Sequence, residues 1–130
     1  MAIDVYLDTD RFASHLSENA AKHSQARCAR FVRRALEAGG ADTTGHLSDA
    51  KTYGPILSRN GFHAITVDNP DTFQPLKGDV VVMEPTQHGN QAGHIAGYDG
   101  TNWVSDFVQQ GFWPGNAYAR EKPNYVVYRR

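Results

Sequence analysis

The sequence has little of several features that define other protein classes. Its 130 residues include one cysteine, Cys28, which excludes an internal disulfide framework. Thirteen basic and fourteen acidic residues give a formal net charge of −1, without the basic excess typical of nucleic-acid or membrane-surface binders. The first residues lack a basic segment followed by a long apolar run, so we expect no secretory signal peptide and no membrane insertion. We therefore expect synthesis in the cytoplasm and no nucleic-acid partner.

The order of the predicted elements favours an α+β fold, with N-terminal helices packed on an antiparallel β-sheet. The length fits one domain, residues 1–130, with its own core. Apolar periodicity predicts a short strand or extended arm at Ile3, Val5 and Leu7, and then a helix capped near Asp8. Further helices are predicted at 24–38 and at 47–60, the latter broken at Gly54-Pro55. Strands are predicted at 62–67, 80–83, 94–98, 101–108 and 125–128, with an aromatic loop at 109–119.

The cysteine lies near the predicted start of the second helix, on its apolar face. Ser24 is the predicted N-cap, which places Cys28 about one turn inside the helix. The positive end of a helix favours thiolate over thiol, and N–H groups of the first turn can bind an oxyanion. This position is typical of a nucleophile, although a buried structural cysteine is the alternative.

A nucleophilic cysteine needs a base and a polar group that orients it. Among six histidines, His94 has the most suitable context, because it opens a predicted strand after a glycine-containing loop. His63 lies within a strand and can simply pack, and His88 stays open as an alternative. Zinc is the other use for such residues, but one thiolate with His88 and His94 matches no usual spacing. We expect no metal and no cofactor.

Asp106 follows His94 by twelve residues, on the other arm of a predicted hairpin. A two-residue turn at Asp99-Gly100 would pair His94 with Ser105 and place Asp106 on the opposite face. A three-residue loop would place His94 and Asp106 on the same face. The sequence leaves both hairpins open.

Together these segments resemble the papain-like bacterial cell-wall amidases of the CHAP and NlpC-type families. The resemblance rests on Arg27-Cys28-Ala29-Arg30-Phe31-Val32, Leu76-Lys77-Gly78-Asp79-Val80-Val81-Val82 and Gly93-His94-Ile95-Ala96-Gly97-Tyr98, with Asp106 after them. It implies a papain-like, NlpC-type fold and hydrolysis of peptidoglycan peptide amides through an acyl-enzyme. It also implies Cys28 as the nucleophile, His94 as the base, Asp106 as the orienting group and an oxyanion hole that includes the Cys28 N–H. Arg27 and Asp106 depart from the residues common at these positions.

The absence of a second wall-binding module makes the chain similar to the amidase effectors of type VI secretion systems. The segments 105–107 and 112–115 also resemble that group. This resemblance implies delivery to the periplasm of target bacteria and a cognate immunity protein, and we expect a monomer. The alternatives are a phage-type or housekeeping CHAP wall hydrolase, a transglutaminase-like acyltransferase, and a non-enzymatic binding module with a structural cysteine.

Overall fold

A five-stranded antiparallel sheet, with most helices before its first strand and one helix between its last two strands, confirms the predicted α+β class. The computed structural model describes residues 7–24 and 26–130, so the predicted strand at Ile3 and Val5 lies outside the described residues. None of the helices within those residues is long and apolar enough to cross a bilayer. The helices are α1 (Thr9–Asn19), α2 (Cys28–Ala38), a 3₁₀ helix (Ala50–Thr52), α3 (Gly54–Arg59) and α4 (Asn116–Glu121). The strands are β1 (His63–Ile65), β2 (Val80–Met83), β3 (His94–Tyr98), β4 (Trp103–Val104) and β5 (Tyr125–Arg129), in the spatial order β1-β5-β2-β3-β4.

The first helix forms where its cap and apolar stripe predict it. The Asp8 carboxylate accepts a hydrogen bond from the Arg11 N–H at 3.0 Å, and this satisfies a first-turn donor. Phe12 and Leu16 point inward and pack over β3 at Gly97. A Cβ at Gly97 would lie 2.7 Å from Leu16 Cδ1 and 2.8 Å from Phe12 Cζ, so the glycine permits this close helix–sheet contact.

The centre of the sheet is buried on both faces. Its central strand β2 is buried at every position, as its continuous apolar run predicts. On one face, β2, β3 and β4 pack against the helices through Val80, Val82, Ile95 and Val104. On the other face, Val81, Met83, Ala96 and Trp103 pack against aromatic side chains of the segment after β4 and of β5.

The Gly78-Asp79 pair at the start of β2 has a structural role. Gly78 has a φ of +96°, which favours glycine, and its missing side chain leaves room for Thr9. Asp79 is buried and binds Arg129 of β5 through two hydrogen bonds of 2.8 Å. It also accepts a hydrogen bond from the Leu76 N–H at 2.9 Å. These contacts fasten β2 to β5 and to the preceding turn.

Several predicted boundaries are wrong, including those of the strand predicted at 62–67, which is observed only at His63–Ile65. Helix α2 begins at Cys28, because the Ser24 hydroxyl accepts its hydrogen bond from the Ala26 N–H within the preceding loop. The predicted aromatic loop, 109–119, overlaps helix α4, which begins at Asn116 and ends at Glu121. The predicted strand 101–108 is only two residues long, since the chain reverses direction immediately after Val104.

The length of the loop between β3 and β4 explains why neither expected hairpin forms. Residues 99–102 form a four-residue loop, and the ladder to β3 ends at Gly97 opposite Val104. The Ser105 N–H then donates to Phe107 O at 3.0 Å, and the Gln109 N–H donates back to Trp103 O at 2.9 Å. Ser105 therefore does not pair with His94, and Asp106 lies at the tip of a tight bend rather than on a strand.

Candidate active site

The cysteine occupies the first position of α2 and lines a cleft of about 590 Å³. The loop before it has unusual backbone geometry, since Ala26 has a φ of +55°. Asp106 holds this loop by accepting two hydrogen bonds: its carboxylate accepts from the Arg27 N–H at 3.0 Å, and its carbonyl accepts from the Ala21 N–H at 2.8 Å. The buried Asp106 therefore fixes where α2 begins, and with it the position of Cys28.

The imidazole comes from the neighbouring element of the sheet. His94 is the first residue of β3, is 7% exposed, and lines the same cleft as Cys28. Helix α2 packs on β3, and the backbone N–H of the next residue, Ile95, lowers the pKa of the Cys28 thiol and so favours its anion. The fold thus brings Cys28, His94 and Asp106, the three residues that the family resemblance implies, to one cleft.

Gln109 determines which nitrogen of His94 carries the proton. The side-chain amide of Gln109 donates to the carbonyl oxygens of Gly111 at 3.0 Å and Phe112 at 3.2 Å. Because carbonyl oxygens only accept, the atom that makes these two bonds must be the Gln109 amide nitrogen. The other atom, Oε1, therefore accepts the 2.8 Å hydrogen bond from His94 Nε2. His94 Nε2 is consequently the protonated nitrogen, and Nδ1 keeps the lone pair that a base requires.

Tyr118 of α4 covers the imidazole. Its ring centroid lies 5.8 Å from that of His94 at an interplanar angle of 54°, and it lines the cleft. Helix α4 is held by Glu121, whose carboxylate accepts a hydrogen bond from the Gln87 N–H at 2.8 Å. Burial raises the pKa of Tyr118 to about 12, so its hydroxyl stays protonated at neutral pH.

The protonation states of the thiol and the imidazole differ from the sequence-based expectation. Burial raises the pKa of Cys28, and the Asp106 charge adds to this increase, while the N–H groups of Ile95, Ala29 and Cys28 oppose it. Burial lowers the pKa of His94, against the Gln109 hydrogen bond and the Asp106 charge. Both directions favour a neutral thiol and a neutral imidazole at rest, whereas the helix start considered alone favours the thiolate.

The other candidate residues lie elsewhere or serve the fold. His63 is exposed on β1, which β5 and β2 separate from β3, and His88 is exposed in the loop after β2. Ser105 is buried beside Asp106, with its hydroxyl 3.4 Å from Asp106 Oδ1. Within residues 7–24 and 26–130, no three His, Cys, Asp or Glu side chains are close enough to hold a metal ion.

Sequence reasoning missed Gln109 and Tyr118. Gln109 lies fifteen residues after His94 in a segment that the pattern presents as a loop, and it belongs to no recognised motif. The aromatic content of that segment indicated a candidate rim, but nothing in the sequence distinguished Tyr118 from its neighbours. The roles of Cys28, His94 and Asp106 in catalysis stay predictions.

The fold and the cleft define an α+β protein in which a thiol at a helix start and an imidazole on the adjacent strand share one site. The chain is similar to a protein in the crystal structure of the type VI native effector–immunity complex Tae3–Tai3 from Ralstonia pickettii. The match has 39% identity and a TM-score of 0.81 over 94% of this chain and 98% of that chain. A second structure of this complex, with selenomethionine, matches at 41% identity and a TM-score of 0.80 over 92% and 99% of the two chains.

The chain belongs to the Tae3 family of type VI secretion effectors. This membership confirms the predicted relationship to type VI effectors. No protein-family model and no curated protein matches the sequence.

Proposed function

We propose that this protein is an antibacterial type VI effector, a cysteine amidase that hydrolyses amide bonds in peptidoglycan peptides. Membership in the Tae3 family supports the effector role. The observation that carries the enzymatic role is the imidazole of His94, whose Nε2–H is held by Gln109 in the cleft that Cys28 lines. A buried structural cysteine has no use for an imidazole fixed in this way.

In the proposed reaction, the resting pair is neutral and His94 acts as a general base. The Cys28 thiol passes its proton to His94 Nδ1 as the sulfur attacks the substrate carbonyl, forming the carbon–sulfur bond. The tetrahedral intermediate then releases the amine, which takes the proton from His94 and leaves a thioester. A water molecule, deprotonated by His94, hydrolyses the thioester and restores the thiol.

Backbone donors at the start of α2 are available for the oxyanion. The N-cap residue Arg27 makes no side-chain capping hydrogen bond, so first-turn N–H groups remain available to a ligand. The N–H groups of Cys28 and Ala29 lower the pKa of the Cys28 thiol, so they stabilise negative charge at this position. We assign the Cys28 N–H to the oxyanion hole, because it is adjacent to the atom that attacks.

Asp106 and Gln109 share the task that one orienting residue would perform. Gln109 supplies the hydrogen bond that fixes the tautomer of His94. Asp106 raises the pKa of His94 through its charge and so stabilises the imidazolium that forms during the reaction. The proposed site therefore keeps Cys28, His94 and Asp106 and adds Gln109.

The same arrangement supports the papain-like, NlpC-type description of the fold. A helix with the thiol at its first residue packs on an antiparallel sheet, and the strand beneath it carries the base. Because the Tae3 structures are effector–immunity complexes, we also propose a cognate immunity protein as partner and delivery to the periplasm of target bacteria.

Digestion of purified sacculi tests the proposal. Wild type and Cys28→Ala are incubated with sacculi, and the released peptides are identified by mass spectrometry. A parallel reaction contains an added primary amine, which would accept the acyl group if the protein is an acyltransferase. We expect hydrolysed peptides from wild type and none from a folded Cys28→Ala variant. Cleavage by Cys28→Ala would remove the thiol from the mechanism, amine-linked products would indicate acyl transfer, and intact sacculi would favour a non-enzymatic binding module.

A further inference from the structure

The open surface of the cleft carries charge of one sign. Arg27 and Arg30 line the cleft with exposed side chains, one just before α2 and one in its first turn. Among the described residues of the lining, the acidic one is Asp106, which is 1% exposed and directs its carboxylate to the Arg27 N–H. A chain with a net charge of −1 therefore presents a positive patch beside Cys28.

These two guanidinium groups differ from the arginines that serve the fold. Arg33 of α2 pairs with Glu37 at 3.0 Å, and Arg129 pairs with Asp79 at 2.8 Å. Within the described part of the chain, neither Arg27 nor Arg30 forms a side-chain ion pair or hydrogen bond with a protein acceptor. Their donors remain available to a ligand that enters the cleft.

We propose that Arg27 and Arg30 bind a free carboxylate of the peptide substrate, within about two residues of the scissile amide. This inference rests on the proposed function and adds to it the chemistry that selects the substrate. A guanidinium binds a carboxylate through two parallel N–H···O bonds, a geometry that a lysine ammonium cannot form. The short span follows from Arg27 being the direct neighbour of Cys28, since an extended peptide advances only about 3.5 Å per residue.

The carboxylate requirement restricts the substrate class. Peptidoglycan peptides carry free carboxylates on acidic residues and at their ends, and amidation of such a group removes its charge while keeping its shape. The site as built distinguishes the two forms, because an amide offers one acceptor and no charge to a pair of guanidinium groups. We therefore expect cleavage to be selective for acidic peptides over their amidated forms.

Two matched peptides test this selectivity. They share one scissile amide, and the carboxylate next to it is free in one and amidated in the other. The variants are Arg27→Gln, Arg30→Gln and the double variant. Arg34→Gln is the control, because Arg34 is exposed on the same helix but does not line the cleft.

On the acidic peptide we expect each single variant to lose about tenfold in kcat/KM, mainly through KM, and the double variant about 50-fold. On the amidated peptide the same variants should stay within about twofold of wild type, and Arg34→Gln should match wild type on both peptides. Equal losses on the two peptides, or no loss on the acidic one, would overturn the inference.

A binding experiment separates failure of this inference from failure of the proposed function. Both peptides are titrated against Cys28→Ala, with and without the double arginine substitution, by calorimetry. If wild type cleaves neither peptide, the proposed amidase is wrong, yet tighter binding of the acidic peptide that disappears with the arginines still supports the carboxylate site. Equal affinity of Cys28→Ala for both peptides would reject the carboxylate site, whatever the outcome of the cleavage assay.

Discussion

Replacing Gln109 by alanine removes three hydrogen bonds from a side chain that is 2% exposed. The bonds lost are those to His94 Nε2 at 2.8 Å, Gly111 O at 3.0 Å and Phe112 O at 3.2 Å. At about 1 kcal/mol for each bond, Gln109→Ala should lower the free energy of unfolding by about 3 kcal/mol. Urea denaturation followed by tryptophan fluorescence measures this change.

The catalytic effect of this substitution follows from the tautomer of His94. Without the Gln109 acceptor, the imidazole can rotate or carry its proton on Nδ1, and either change removes the Nδ1 lone pair that the proposed general base uses. General base catalysis contributes about 10²–10⁴ in rate, so we expect kcat to fall about 10–10²-fold while KM stays within about twofold. Steady-state kinetics on a defined peptide, at a temperature where the variant remains folded, measures both constants.

Gln109→Glu is the matched variant, because it keeps an acceptor for His94. The glutamate carboxylate cannot donate to the carbonyl oxygens of Gly111 and Phe112 and is repelled by them. Its negative charge should raise the pKa of His94. We expect kcat above that of Gln109→Ala, with the acidic limb of the pH–rate profile moved to higher pH.

Asp106→Asn is the comparison that can refute the role of Gln109 in orienting His94. The asparagine still accepts a hydrogen bond from the Arg27 N–H but loses the charge that raises the pKa of Cys28. We expect a smaller loss of kcat than in Gln109→Ala. If Gln109→Ala keeps kcat within twofold while Asp106→Asn loses more than about 10²-fold, Asp106 orients the imidazole and the role given to Gln109 is wrong.

Three further predictions concern the fold, the thiol and the wall of the cleft. Asp79→Ala leaves the guanidinium of Arg129 without its buried carboxylate partner and should lower the free energy of unfolding by about 2–4 kcal/mol. Asp10→Ala, which breaks an exposed ion pair, should lower it by less than about 0.5 kcal/mol. Equal losses for the two variants in urea denaturation would contradict this difference. Because burial raises the pKa of Cys28 above its ordinary 9.0, alkylation by iodoacetamide should still be accelerating past that pH, and a fast plateau near pH 6 would disprove the neutral pair. Tyr118→Ala should lower kcat about tenfold by removing the ring over His94, while Tyr118→Phe should stay within about threefold; equal loss in both would assign the effect to the hydroxyl.

Local patterns were sufficient wherever a segment's own residues determine its conformation. Asp8 and the apolar stripe behind it predict α1, and the unbroken apolar run at β2 predicts a strand buried on both faces. Gly54-Pro55 marks the start of α3, because proline lacks the N–H that a helix interior uses. Strand β3, which carries His94, was predicted to the residue.

The predictions of the start of α2 and of the β3–β4 hairpin were wrong, because contacts with other parts of the chain determine the conformation of these segments. Ser24 has the chemistry of an N-cap, but the loop before Cys28 is held by Asp106, 79 residues away from Arg27. The Asp99-Gly100 signal predicts a tight hairpin, but the observed loop is longer and β4 ends at Val104. The backbone hydrogen bonds of residues 105–109 return to their own strand, and this reversal delivers Gln109 to the imidazole.

From the sequence alone we predict that most helices precede the strands, where β2 and β3 lie, and that Cys28 and His94 are the candidate nucleophile and base, because periodicity and residue chemistry are local properties. The tertiary structure decided which side chain holds the imidazole and which protonation states the pair adopts at rest. Those depend on a chain reversal and on burial, since the solvent removed around Cys28 outweighs the helix-start N–H groups that favour its anion.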